Sequence, residues 1–148
     1  MTAVPRVFLD ASVLIAATAS RKGASSVVLA LCGRGLLQAL ATQQVLREAE
    51  RNIELKLGDD ALLRFYQDIA EAGLSLVDPA SPEAMNKYSA IIHPKDVHVL
   101  AAAIDGKAAF LLTLDRKHFM TPVLRRATPG LEILTPGEFL NHWVEHQS

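Results

Sequence analysis

The sequence predicts an α/β fold in three layers, α/β/α, with a central parallel sheet, and three observations carry that expectation. Short β-rich runs alternate with longer helical patterns along all 148 residues, as in chains that build parallel sheets from βα units. The strand-like runs "RVFL" and "AAFLLTLD" are apolar with little alternation, the pattern of strands buried on both faces. No internal repeat, low-complexity stretch or linker rich in Gly, Pro and Ser divides the chain. Residues 1–148 are therefore expected to form one domain, large enough to bury a core without disulfides or metals as staples.

"RVFL" is the first strand, and Asp10 separates it from the helix "SVLIAATAS", which should end near residues 21–23. "ASSVVLALC" is a second helix, stopped by Gly33 and Gly35. The short strand "LLQALA" leads into the helix "QQVLREAERNIELKL". "GDDALLRFYQDIAEAG" then restarts a helix with Asp59 or Asp60 as its N-cap. After the strand "LSLVD", the helix "SPEAMNKYSAII" has Ser81 as cap and Pro82 at its first position, where a missing N–H costs nothing. "HPKDVHVLAAAIDG" repeats that pattern, with Pro94 opening the helix and Gly106 closing it. "AAFLLTLD" and "LEIL" are the last strands, and "TPGEFLNHWVEH" is a terminal helix that Phe139, Leu140 and Trp143 pack against the core.

Half of the residues are hydrophobic and 21% charged, which excludes disorder. Cys32 is the sole cysteine, so no disulfide can form within the chain and a cysteine-based zinc site is not expected. "MTAVPRVF" lacks a basic stretch followed by an apolar one. Apolar runs such as "VLAAAI" fall far short of the roughly 20 residues of a membrane span. A cytoplasmic protein with no membrane partner is expected. Net charge is −1, but setting aside four acids for a cation site leaves 15 basic against 12 acidic residues. That balance permits a nucleic-acid substrate without demanding one.

In parallel sheets the functional crevice lies beyond the carboxyl ends of the strands. Two strands meet an acid there, Asp10 in "RVFLD" and Asp115 in "FLLTLD". Asp96, in the first turn of the helix opened by Pro94, is a third. Each also has a plain structural explanation: Asp10 caps a helix, Asp115 ends a strand in a turn, and Asp96 meets a helix dipole worth about 0.3–1 kcal/mol. A fourth acid comes from "QQVLREAERNI", where Glu48 and Glu50 both flank the apolar face of Val45, Leu46, Ala49 and Ile53, and periodicity leaves the choice between them open. Two carboxylates about 4 Å apart repel by roughly 4 kcal/mol at an effective dielectric near 20. Several together need protons or a cation. An all-oxygen set suits Mg²⁺ or Mn²⁺, which activate water and stabilise charge on a phosphoryl group in transfer.

These stretches resemble the motifs of the PIN-domain ribonucleases, a family that includes the VapC-type toxins of bacterial toxin–antitoxin pairs. "VFLDASVLIAA" is similar to the family's opening strand with its first Asp, Asp10 here. "ATQQVLREAERNI" is similar to the second motif, in which an acid follows a Ser or Thr by six residues, so Thr42 selects Glu48. "HPKDVHVLAAAI" and "FLLTLDRKHF" resemble the third and fourth, carrying Asp96 and Asp115, and "ILTPGEFL" resembles the close of toxin members. The resemblance runs from Val7 to about Leu140 and implies a PIN-like, Rossmann-like fold. It implies Mg²⁺- or Mn²⁺-dependent endonucleolytic cleavage of RNA, homodimerisation and, for toxin members, inhibition by a small antitoxin. One departure is Ala11, where members often carry Thr or Ser; Ser12 and Thr113 are the hydroxyls left to support the site.

The expected mechanism has Asp10, Asp96 and Asp115 hold one or two Mg²⁺ ions while Glu48 binds a metal or orients the water that attacks phosphorus in line. Lys95, Arg116 and Lys117 are the candidate contacts to the RNA backbone, joined by His98 beside Asp96 and His118 after Asp115, with Arg125 and Arg126 adding to that side. Two rivals stand beside this reading. One is a binding module of the same fold without catalysis, against which the presence of all four acids counts. The other is an aspartyl phosphotransfer domain, which needs an acidic pair or a "DxD" arrangement where this chain has Asp10-Ala11-Ser12. A His93–Asp96–His98 transition-metal site is disfavoured because the histidines lack the i, i+4 spacing of helical ligands.

Overall fold

The computed structural model describes residues 4–147. Five strands form one sheet, β1 (Arg6–Leu9), β2 (Gln38–Ala41), β3 (Ser75–Leu76), β4 (Phe110–Leu112) and β5 (Glu132–Leu134), in the order β3-β2-β1-β4-β5. Every pairing is parallel. Val7, Phe8 and Leu9 are all fully buried, which is why β1 shows no alternation: helices cover it on both sides. The helices are α1 (Ala11–Ala19), α2 (Ala24–Gly33), α3 (Gln43–Leu57), α4 (Asp59–Glu71), α5 (Pro82–Tyr88), α6 (Val97–Asp105), α7 (Arg116–Phe119), α8 (Pro122–Ala127) and α9 (Pro136–Glu145). The crossovers through α1–α4 step from β1 toward β3, and those through α5–α8 step back across the sheet to β4 and β5. Parallel crossovers are right-handed, so the two groups lie on opposite faces and make the three layers the sequence predicts. The chain reverses direction between β1 and β4. That is the switch point at which a crevice opens beyond the strand ends.

Several boundaries differ from the sequence reading, each for a local reason. The helix carrying Asp96 begins at Val97, not at Pro94. The Asp96 N–H donates to the His93 carbonyl at 2.8 Å, so residues 93–96 form a turn with Pro94 at its second position, which proline's φ also suits. The N-cap of α4 is Gly58, not Asp59 or Asp60, which occupy the first helical turn. The short α7 and α8 did not stand out by periodicity, although "TPVLRRA" carries the same cap as "TPGEFL": the Thr121 hydroxyl accepts from the Leu124 N–H at 3.2 Å, and Pro122 follows it. Their apolar residues Phe119 and Leu124 are fully buried.

Gly58 joins α3 to α4 with φ +89° and ψ 179°, a conformation that only glycine adopts at low cost. Nothing lies within 4 Å of a Cβ built there, so strain would be the only cost of a side chain. Gly58→Ala is expected to lower stability by about 1–3 kcal/mol without touching the strand ends, as read from the urea midpoint at unchanged slope.

No single helix among the described residues is long and apolar enough to cross a membrane. Cys32 is buried, and burial pushes its thiol up to about 12.

Candidate active site

The register of the sheet sets up the site. Leu9 pairs with Leu112, so the next residues, Asp10 and Thr113, emerge side by side at the carboxyl edge. The Asp10 N–H continues the ladder to the Leu112 carbonyl at 3.0 Å, and the Thr113 N–H continues it to Leu134 at 3.1 Å. Asp10 is 8% exposed and Thr113 is fully buried. One carboxylate oxygen, Oδ1, accepts from the Ala11 N–H at 2.8 Å, which makes Asp10 the cap of α1. The other, Oδ2, accepts from the Thr113 hydroxyl at 2.7 Å and the Ser12 hydroxyl at 3.0 Å. These hydroxyls in turn accept from the next loop: Asp115 N–H donates to Thr113 Oγ1 and Leu114 N–H to Ser12 Oγ, both at 3.1 Å. A three-way lock thus joins β1, α1 and the loop that carries Asp115.

Ala11, where a hydroxyl is often found in the resembling family, is 3% exposed and belongs to the apolar core. Ser12 instead places its hydroxyl on Asp10. Thr113→Val keeps the shape but removes a donor to Asp10 and an acceptor for Asp115. It is expected to cost about 1–3 kcal/mol, measured as a lowered urea midpoint, and to release the Asp10 carboxylate from its fixed position.

Asp115 caps α7, its Oδ1 accepting from the His118 N–H at 3.0 Å. Its Oδ2 lies 2.7 Å from His118 Nδ1, which is also 3.2 Å from Asp96 Oδ2. An ionised carboxylate only accepts, so Nδ1 is the donor to whichever of the two carboxylates is ionised. Asp96 stands at the start of α6, yet its side chain caps nothing; its carboxylate reaches His118 instead. The His93 ring lies against His118 with centroids 4.7 Å apart. Asp96, Asp115 and His118 each offer one atom within 4.8 Å of the others.

Glu48 enters from α3. Burial raises its carboxyl pKa first, and the charge of Asp10 adds to that, with Asp96 contributing further and His98 and Arg51 opposing. Asp96 behaves alike: burial raises it, then Asp10 and Asp115, against His118 and His93. The four acids therefore share one field. Glu50 does not; its charge acts on Tyr66, whose hydroxyl pKa it helps to raise. The alternative that helical periodicity leaves open is decided by the packing of α3 against its neighbours. His98 Nδ1 is the one buried side-chain polar atom without a hydrogen-bond partner among the described residues.

The basic candidates lie at the rim. Lys95, Arg116 and Lys117 are exposed, and Arg116 reaches Glu138 at a loose 3.5 Å. Arg125 and Arg126 are exposed on α8. The sequence reading offered His118 only as a phosphate contact; the structure turns its ring toward the acids. Its three-residue step from Asp115 in "DRKH" was the available signal, since that spacing brings a side chain back to the cap of a short helix.

A family model described as PIN domain matches residues 6–117, about three quarters of the chain and all four acids. The chain belongs to the PIN-domain family. PIN domains are generally nucleases that use divalent metals, and the arrangement here fits that chemistry. Burial and mutual repulsion raise two of the carboxyls, and the hydroxyl lock holds a third in place. Such a cluster is relieved by a hard cation with oxygen ligands. No curated protein matches this PIN domain by sequence.

Proposed function

We propose that this PIN domain is an Mg²⁺- or Mn²⁺-dependent endoribonuclease that hydrolyses RNA phosphodiester bonds. The observation that carries the reading is the convergence of Asp10, Glu48, Asp96 and Asp115, from four separate elements, into one repulsive cluster at the switch point of the sheet. Asp10, Asp96 and Asp115 would hold one or two cations, which when bound stabilise charge on the phosphoryl oxygens and favour water as the nucleophile. The chain's own groups do the rest. Ser12 and Thr113 hold the Asp10 carboxylate, and His118 sets the spacing of Asp96 and Asp115. Glu48, with its raised pKa, orients the attacking water and accepts its proton, unless it too binds the cation. Arg116, Lys117 and Lys95 at the rim hold the RNA backbone.

Purified protein should cleave RNA with Mg²⁺ or Mn²⁺ and stop in EDTA. Full activity in EDTA would sink the proposal. Neutralising Arg116 and Lys117 together should weaken RNA binding and flatten its salt dependence.

The finer reading is the toxin of a type II toxin–antitoxin pair, homodimeric, cytoplasmic and inhibited by a small cognate protein. It is supported by the resemblance of the four motifs and of "ILTPGEFL". Expression of the chain alone should arrest growth, and expression of Asp10→Asn should not.

A further inference from the structure

Beside the acids lies a second cleft of about 380 Å³, lined among others by Ser20, Ala24, Ser25, Leu114, Arg116 and Thr135. It shares a wall with the acidic cluster, because Leu114 and Arg116 flank Asp115 and the Leu114 N–H donates to Ser12 Oγ at 3.1 Å. The floor is the start of α2, a ten-residue helix that no side chain caps. Its first intrahelical bond runs from the Val27 N–H to the Gly23 carbonyl at 3.2 Å. The amides of Ala24, Ser25 and Ser26 therefore have no acceptor within the helix. The start of α9, across the cleft, is already closed by the Thr135–Glu138 capping box.

A second, independent observation points to a ligand. Ser25 is 5% exposed, lines the cleft, and its hydroxyl has no hydrogen-bond partner among the described residues, whereas that of neighbouring Ser26 bonds the Ala17 and Ser20 carbonyls. The Ser25 hydroxyl opens into the cleft, beside free amides and a guanidinium, on a side chain that is otherwise buried. An anion satisfies all three at once.

We propose that this cleft binds a backbone phosphate of the RNA, neighbouring the scissile one, through the first amides of α2, the Ser25 hydroxyl and Arg116. The assignment rests on the ribonuclease reading above. Small residues on the wall, Ala24 and Gly23, let a phosphate approach the backbone closely.

The test uses Ala24→Pro and Ser25→Ala. Position 24 is the first helical residue and Gly23 is extended at φ −77°, ψ 166°, so proline deletes the amide donor where a helix tolerates it. Binding of a single-stranded RNA oligonucleotide is measured in EDTA at several salt concentrations, with single methylphosphonate linkages walked along it. The double variant should bind about tenfold more weakly, with a salt slope close to that of the wild type because Arg116 is kept. One methylphosphonate position should weaken wild-type binding and have no effect on the variant, which identifies the anion as the RNA backbone. Should the double variant fail to fold, Ser25→Ala alone should show the same changes at roughly a threefold loss. Unchanged affinity in the variant, or no RNA affinity in the wild type, would overturn the subsite. A wild type that binds the oligonucleotide but leaves it intact with Mg²⁺ and Mn²⁺ would overturn the hydrolytic reading instead.

Discussion

Asp10→Asn is expected to lower RNA cleavage at saturating Mg²⁺ by at least about 100-fold while leaving the protein folded. The magnitude follows from the place of the side chain. Loss of a group that merely supports a metal ligand costs 10–100-fold, and Asp10 is itself the centre of the cluster, where its charge, after burial, helps to raise the carboxyl pKa of both Glu48 and Asp96. An amide keeps the shape and one acceptor, so the Ala11 N–H at 2.8 Å can still be satisfied. The amide nitrogen would then face the Thr113 and Ser12 hydroxyls, which can accept. The fold should therefore survive, and near-ultraviolet circular dichroism should match the wild type. Activity within tenfold of wild type would remove Asp10 from the mechanism.

Asp96→Asn should move stability and activity in opposite directions. The sum of burial and neighbouring acids outweighs the help that Asp96 receives from His118 and His93, since its pKa is raised overall. Its folded state therefore binds a proton more tightly than its unfolded state does. In metal-free protein this group, with Glu48, adds stability as pH falls through the raised values and loses it as pH rises through them. Replacing the charge by an amide should raise the melting temperature of the metal-free protein at neutral pH.

A divalent cation at 100 times its Kd should stabilise the wild type by about 2.7 kcal/mol, roughly 5–11 °C for a chain of this size. Asp96→Asn should abolish most of that shift along with cleavage. The cation-induced shift in the wild type should also fade on acidification, beginning above the ordinary aspartate range near 3.9, because protons and cation compete for the same oxygens. Scanning fluorimetry with Mg²⁺, Mn²⁺ and EDTA across pH reads all of this. A metal-free Asp96→Asn that melts lower than wild type would show that the His118 contact dominates.

The layers and most elements were legible because their causes are local. Unbroken apolar runs such as Val7–Phe8–Leu9 are the signature of a strand covered twice, and Ser81–Pro82 and Thr135–Pro136 start helices by cap chemistry that operates within one turn. Where the structure departs from the sequence pattern, the cause is also local but ambiguous. Pro94 suits both a helix start and a turn, and the His93–Asp96 hydrogen bond selects the turn. α7 is only four residues long, too short for any period to show, and with it the inward aim of His118 was hidden.

The chain by itself determines that acids follow two strands, that a third opens a helix, and that a fourth flanks the apolar face of "QQVLREAERNI". Those are facts of order and spacing, and they suffice for the fold class and the family. Only the tertiary structure decides that Glu48 rather than Glu50 meets the others, that Thr113 and Ser12 hold Asp10, and that His118 bridges Asp96 and Asp115. The reason is the range of the forces. Caps and apolar periods act within a few residues, whereas contacts such as Asp10–Thr113, 103 positions apart, exist only once parallel pairing has set the register of the sheet.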